Sequence, residues 1–442
     1  MSSNVRHDFR PILSLWALIF FGLAFVSPTG PFTFYGIGAT QSHGHFASVY
    51  LIALIGVSFT AASYGAMAAA FPEAGSAYAY ASKGIHPIVG YFTGWVMILD
   101  YLLAPMFCVI IISAIAHKLV PSIPYAAWVA LSASSITAIN LRGIGITSRA
   151  TIVLNAVVLV ALLWFLGAAV LALTHGIGRG TLFSIEPFYS PDSFNLKYVM
   201  AATPIAVVSF LGFDGISTLA EDAKEPRRNV PRATMLVCLF AGGAFIIQTY
   251  FAQLIWPDYT TFPSLETAFS DIGRRIGGPA LGSVIASLVI IQTFASGIAC
   301  QASASRLLYG MARDGRIPKQ VFGYLHPKLA SPTHSLLLMG AIAMVAALLL
   351  NLEKAAELVN FGACFGFMAV NASVITYYFV RQGERTGIAL WTRLISPAIG
   401  LIVCLWIWLS VSSLAMIVGA SWSVVGVIYL YTLIRRRAFV VD

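Results

Sequence analysis

Apolar residues in this chain gather in runs of roughly twenty, separated by short polar or glycine- and proline-rich punctuation. A run of that length is what an α-helix needs to cross a bilayer core about 30 Å thick. About twelve such runs fill most of the chain. The pattern therefore predicts an all-α polytopic membrane protein, a single transmembrane domain over residues 1–442. The first run starts after a short basic stretch containing Arg6 and Arg10. It is too long for the apolar core of a signal peptide and has no small-residue cleavage site, so it is expected to be a span.

Two runs are interrupted in their interior. The first, over about 11–40, carries FVSPTGPFTFYG at 25–36. Pro28 and Pro31 cannot donate helical hydrogen bonds, and Gly30 removes side-chain cover from the backbone. A break there leaves the Ser27 and Thr29 hydroxyls beside free amides. The sixth run begins near Tyr198 and closes in SFLGFDGISTLAEDA, where Gly212 and Gly215 flank Asp214. A carboxylate at membrane depth costs about 3 kcal/mol on insertion scales and generally faces a cavity or a partner. Broken helices at the midplane expose N–H and C=O groups that hold a solute or an ion. The two breaks sit at corresponding places in two five-span halves, about 11–173 and 198–379. That is the signature of an inverted repeat, with two extra helices over about 393–434.

A second acid lies at similar depth. GWVMILDY at 94–101 puts Asp100 and Tyr101 in the middle of the third run. For both acids the alternative is a structural carboxylate satisfied by neighbouring helices, and the pattern does not say which way Asp100 faces. Span eight, about 279–303, carries Thr293 and Ser296 among small residues. Asn360, Asn371 and Ser373 in span ten, about 356–379, read as interhelical glue. FPEAGSAYAYASKG at 71–84 reads as a polar, turn-rich cytoplasmic segment, and SRLLYGMARDGRIP at 305–318 as an amphipathic cytoplasmic helix. NLEKAAE reads as a short turn between spans nine and ten, and loop 174–197 as lying across the outer face.

Composition agrees: 59% of the 442 residues are apolar and 10% charged, far from the balance of a soluble domain. The net charge of +9 invites a nucleic-acid reading, but its distribution decides otherwise. With the N-terminus inside, the outer loops hold only Lys118, Arg179, Lys197, Arg274, Arg275 and Lys354 of the 26 basic residues. That asymmetry follows the positive-inside rule and predicts both termini in the cytoplasm, with the basic residues serving the bilayer and not nucleic acid. The five cysteines are scattered singly through apolar runs, which argues against disulfides or a metal cage. His43 and His45 are expected in a solvated outer loop, with no metal and no cofactor. Neither HExxH, nor a GxSxG turn, nor a phosphate loop is present, which leaves nothing for an enzyme reading to stand on.

The stretches FPEAGSAYAYASKG with GWVMILDY, NLRG at 140–143, GFDGISTLAEDAKEPRRNVPRA and SRLLYGMARDGRIP, in that order and spacing, resemble the amino acid/polyamine/organocation (APC) transporter family over nearly the whole chain. Within it, FGLAFVSPTGPFTFYG, ILDYLLAP and SFLGFDGISTLAEDA look most similar to bacterial putrescine-importer-type permeases. The resemblance implies that the unwound part of span one, Ser27, Thr29 and Gly30, binds a substrate carboxylate where there is one. It implies that the span-six break, Gly212 to Asp214, receives the amine, with Phe210 or Phe213 closing over it. This chain departs from many amino-acid members in having Pro28 and Pro31 within the first break, which leaves fewer amides and tilts the reading toward amines. Some proton-coupled relatives place a lysine in span five; this span has none. Ser296 with span-one carbonyls is then a candidate sodium site, and Asp100 or Asp214 a candidate proton carrier, the reading leaning to protons. The function expected is import of a small cationic amine or amino acid across the bacterial inner membrane. The alternatives are a sodium-coupled or exchange-type amino acid permease, and a sensor that binds without moving its ligand.

Overall fold

The computed structural model describes residues 9–350, 352–411 and 413–435. Arg6, Arg436 and Arg437 lie outside them, as do the side chains of 352–360, Lys354 and Asn360 among them. The architecture is all-helical, and Leu13 with Ala223 forms an isolated β-bridge. In chain order the helices are α1 (Leu15–Val26), α2 (Gly30–Gln41), α3 (Phe46–Ala70), α4 (Ser76–Gly84), α5 (Pro87–Leu119), α6 (Tyr125–Leu141), α7 (Ile144–Thr174) and α8 (Leu196–Val208). A 3₁₀ helix, Phe213–Asp222, follows α8. Then come α9 (Pro226–Ile255), α10 (Ala268–Arg313), α11 (Lys319–Phe322), α12 (Thr333–Leu349), α13 (Leu352–Val374), α14 (Ile388–Leu390), α15 (Ser396–Leu409) and α16 (Ser413–Arg435).

Among the described residues nine helical stretches are long and apolar enough to cross a membrane. The pair α1 and α2, bent by 44°, makes a tenth. The apolar helices α6 and α12 are 17 residues each. Polytopic helical architecture is thus what the hydropathy pattern predicts, and its cause is local. With no water to satisfy the backbone, a spanning segment must close its own hydrogen bonds.

Small residues set which helices approach. A methyl group added at Gly242 of α9 would strike Leu54 of α3, and one at Gly65 of α3 would touch Pro231 of α9. These two helices pack closely along their length. α16 is fastened to α5 by two reciprocal bonds, Trp95 Nε1 to the Trp422 carbonyl (2.9 Å) and Trp422 Nε1 to the Trp95 carbonyl (2.7 Å). α15 and α16 leave broad apolar faces outward, including Ile402, Leu409, Ile417 and Ile428, as lipid-facing helices do.

Several segments differ from the sequence expectation: NLEKAAE, expected as a turn, is helical from Leu352, where α13 begins, and His45, expected in a solvated loop, is buried. Residues 76–84 form α4, with Tyr78 and Tyr80 buried instead of solvated. The stretch 305–313 is no separate surface helix but the last turns of α10, and Arg306 in it is 2% exposed. A partner explains the burial: Arg306 Nε reaches Asp222 Oδ2 at 2.6 Å, so the charge enters the interior as a pair. Arg274 and Arg275 lie in the first turns of α10, ahead of a kink at Gly277 and Gly278, not in a loop.

Candidate substrate site

The first break is built by its own residues. α1 ends at Ser27, which adopts the left-handed region (φ +63°), rare for a residue with a side chain. In a continuous helix the Ala24 carbonyl would accept from residue 28, but Pro28 has no N–H to give. Gln292 of α10 replaces it, its Nε2 donating to the Ala24 carbonyl at 3.0 Å and, more weakly, to that of Leu23 at 3.4 Å. Ser296, one turn further along α10, donates to the Phe25 carbonyl at 3.2 Å. On the other side of the break Gln248 of α9 donates to the Pro28 carbonyl at 3.0 Å. Asn155 of α7, in the span that lacks a lysine, donates to the Phe20 carbonyl at 3.0 Å.

Most donors of this break are similarly engaged, the Thr29 amide being the exception among the backbone bonds of the described residues. The amides of Ser27, Gly30 and Phe32 bond the carbonyls of Leu23, Ser27 and Thr29, while Pro28 and Pro31 have none. The Ser27 and Thr29 hydroxyls lie 3.3 Å apart. Gly30 is a close approach: a Cβ there would come within 2.9 Å of the Ser209 side chain. Ser209 in turn bonds the Tyr50 hydroxyl at 3.0 Å.

The second break lies against the first. α8 stops at Val208, and the chain passes through Ser209–Gly212 before resuming as a 3₁₀ helix. Gly212 sits at φ +108°, where a β-carbon would be strained and would also strike the Phe25 ring at 2.4 Å. A Cβ at Gly215 would meet that same ring at 2.5 Å. Both glycines are therefore required for the face of the second break to lie on Phe25. Between them Asp214 is buried, 4% exposed, and accepts a 2.6 Å hydrogen bond at Oδ2 from the Tyr101 hydroxyl of α5. Phe25 stands edge-on to Tyr101, ring centres 6.4 Å apart. Freed carbonyls are covered by hydroxyls: Ser217 to Asp214 O (2.6 Å) and Thr218 to Gly215 O (2.7 Å).

The structure thus brings Asp214, Gly212, Tyr101 and the residues of the first break together around Phe25. Asp100 faces α13, where a Cβ at Gly362 would come within 2.8 Å of its own Cβ. It is only partly exposed and receives no hydrogen bond from the described residues. Phe210 and Phe213 are turned into packing: Phe210 against Tyr50 and Phe245, Phe213 against Tyr64 and Phe367. The ring lying on the broken backbone is Phe25. Asn371 does act between helices, Nδ2 donating to Thr60 Oγ1 at 3.0 Å, whereas Ser373 bonds its own helix.

Sequence reasoning passed over Gln248, Gln292, Asn155 and Phe25. A signal for the glutamines did exist: each is a bulky amide inside an apolar run, where an unpaired polar group is costly.

A twice-broken helical bundle with a buried carboxylate at the junction of its breaks is the architecture of a multi-pass permease. The sequence profile of the amino acid permease family matches residues 18–436, and the chain belongs to that family. It is 38% identical to the low-affinity putrescine importer PlaP of Escherichia coli K12 over 97% of this chain and 96% of that one. It is 24% identical to the branched-chain amino acid permease BcaP of Bacillus subtilis (96% and 93%). Cationic amino acid transporter 4 of Homo sapiens is 26% identical, over 86% of this chain and 62% of that protein.

Proposed function

We propose that this permease is a secondary active transporter that imports a small cationic amine, with putrescine as its representative, across the bacterial plasma membrane, coupled to protons. In this reading α6 and α12 are also spans, for twelve crossings arranged as a five-plus-five repeat with two added helices, and the positive-inside rule favours both termini in the cytoplasm. The observation that carries the reading is Asp214. It is a buried carboxylate between two glycines, held at 2.6 Å by one phenol and adjoining the freed backbone of two breaks. A protonated amine would form a charge-assisted hydrogen bond there and offset the desolvation of the acid.

Two features support the choice of amine and proton. The first break presents few donors to a substrate carboxylate, because Pro28 and Pro31 have no N–H and the Ser27 and Gly30 amides bond within the turn, which leaves the Thr29 amide. Its carbonyls near Ser296 already accept from Gln292 and Ser296, so a sodium ion would have to share them with protein donors. Asp100, which receives no hydrogen bond from the described residues, is the residue we assign to the second ammonium of a diamine or to the transported proton.

The test is calorimetric binding of putrescine to the purified protein. Asp214→Asn preserves shape and hydrogen-bonding capacity while removing charge, and should weaken binding about a hundredfold or more. Parent-like affinity in a folded Asp214→Asn protein would make the acid structural and sink the assignment.

A further inference from the structure

α5 and α10 meet at a glycine. A Cβ at Gly297 would come within 3.2 Å of the Cβ of Cys108, so the two helices approach closely there. Cys300 lies about one turn beyond Gly297 on α10, and its thiol interacts with that of Cys108. The Ser296 hydroxyl adjoins both thiols and stands 3.8 Å from Cys300 Sγ. Its one hydrogen goes to the Phe25 carbonyl at 3.2 Å, so its oxygen remains an acceptor for a thiol. Both cysteines are free and buried.

Each thiol continues a stripe that serves the substrate site. On α10, Gln292, Ser296 and Cys300 recur at every fourth residue and share a face. The first two hold the carbonyls at the end of α1. On α5, Cys108 stands about two turns beyond Tyr101, whose hydroxyl holds Asp214. The pair therefore joins the helix that supports the first break to the helix that supports the second. Ser296 is part exposed although it lies within the bundle, so open space reaches the edge of the pair.

We propose that Cys108 and Cys300 form a peroxide-sensitive dithiol that closes to an interhelical disulfide and arrests the permease. A hydroperoxide oxidises one thiol to a sulfenic acid and departs as water, or as an alcohol if it is organic. The second thiol attacks that sulfur and forms the S–S bond. The displaced hydroxyl takes up the thiol proton and leaves as water. Two thiols lose two electrons and two protons, and the peroxide gains them. A dithiol reductant reverses the step by exchange.

The new bond would fix Gln292 and Ser296 relative to Tyr101. Alternating access requires parts of such a bundle to rock against one another around the site. A covalent tie between the supports of the two breaks opposes that motion. The dithiol is independent of what the permease carries, and only its effect on uptake rests on the proposed transport of putrescine.

The native permease in proteoliposomes is treated with hydrogen peroxide, its remaining thiols are alkylated, and its peptides are mapped by mass. The expected result is a peptide pair joined through Cys108 and Cys300 and released by dithiothreitol. Putrescine uptake should fall several-fold after peroxide and return with dithiothreitol. The same response is expected when Cys238, Cys364 and Cys404 are all replaced by alanine. Cys108→Ala and Cys300→Ala should each transport normally and keep their uptake in peroxide. Absence of the joined pair from the native protein would overturn the site, and that measurement needs no variant. A joined pair with undiminished uptake would overturn its effect on transport, as would inhibition that persists in both alanine variants. Should the untreated permease carry no putrescine, the preceding reading fails, while the joined pair still decides this one.

Discussion

Gln292 Nε2 donates at 3.0 Å to the Ala24 carbonyl, the one carbonyl of α1 whose helical partner Pro28 has no hydrogen to offer. Gln292 is fully buried. Gln292→Met keeps the length but removes the donor, leaving a buried carbonyl unpaired at about 1–3 kcal/mol. The purified variant should melt at lower temperature and bind putrescine more weakly, because the α1 half of the broken span loses its tether to α10. An unchanged melting temperature would mean that water replaces the amide.

Tyr101 and Asp214 form the hydrogen bond on which the site turns. Tyr101→Phe removes one donor to a carboxylate, worth about 1.5–3 kcal/mol, so putrescine affinity should shift roughly ten- to hundredfold. Asp100→Asn should discriminate among ligands, weakening diamines more than zwitterionic amino acids. A competition panel on both variants reads this. Equal losses for both ligand classes would place Asp100 outside the substrate's reach.

Coupling is checked by uptake into proteoliposomes. At fixed sodium, acidifying the outside should accelerate accumulation, and replacing sodium by a large inert cation should leave it unchanged. Strict sodium dependence with no response to a pH gradient would reverse the choice of ion and return attention to Ser296.

Arg306 and Asp222 pair at 2.6 Å with both side chains almost wholly buried. Arg306→Met should destabilise the protein by about 3–5 kcal/mol, because it strands a buried carboxylate. Adding Asp222→Asn should recover part of that loss. Thermal unfolding of the two variants gives the comparison, and a double variant as unstable as the single would show that the guanidinium matters through packing alone.

How much of this was legible beforehand follows from which forces act locally. Bilayer thickness sets the length of apolar runs, proline and glycine interrupt a helix wherever they stand, and a carboxylate in such a run is costly in any fold. The all-helical polytopic class and an interruption of the first and sixth runs, expected at 27–31 and 211–215 and found at Ser27–Thr29 and Ser209–Gly212, could therefore be read from the order of residues. The partners could not. Tyr101 and Asp214 are 113 residues apart, and Gln292 and Ala24 are 268 apart. Whether they meet depends on the rotation of each helix about its own axis and on which helices small residues allow to close. A glutamine in an apolar run looks the same whether it caps a broken helix or glues two intact ones. Arg306 was misplaced at the surface for the same reason. Its sequence neighbours are those of an amphipathic surface helix, and only packing brought Asp222 close enough to carry the charge inside.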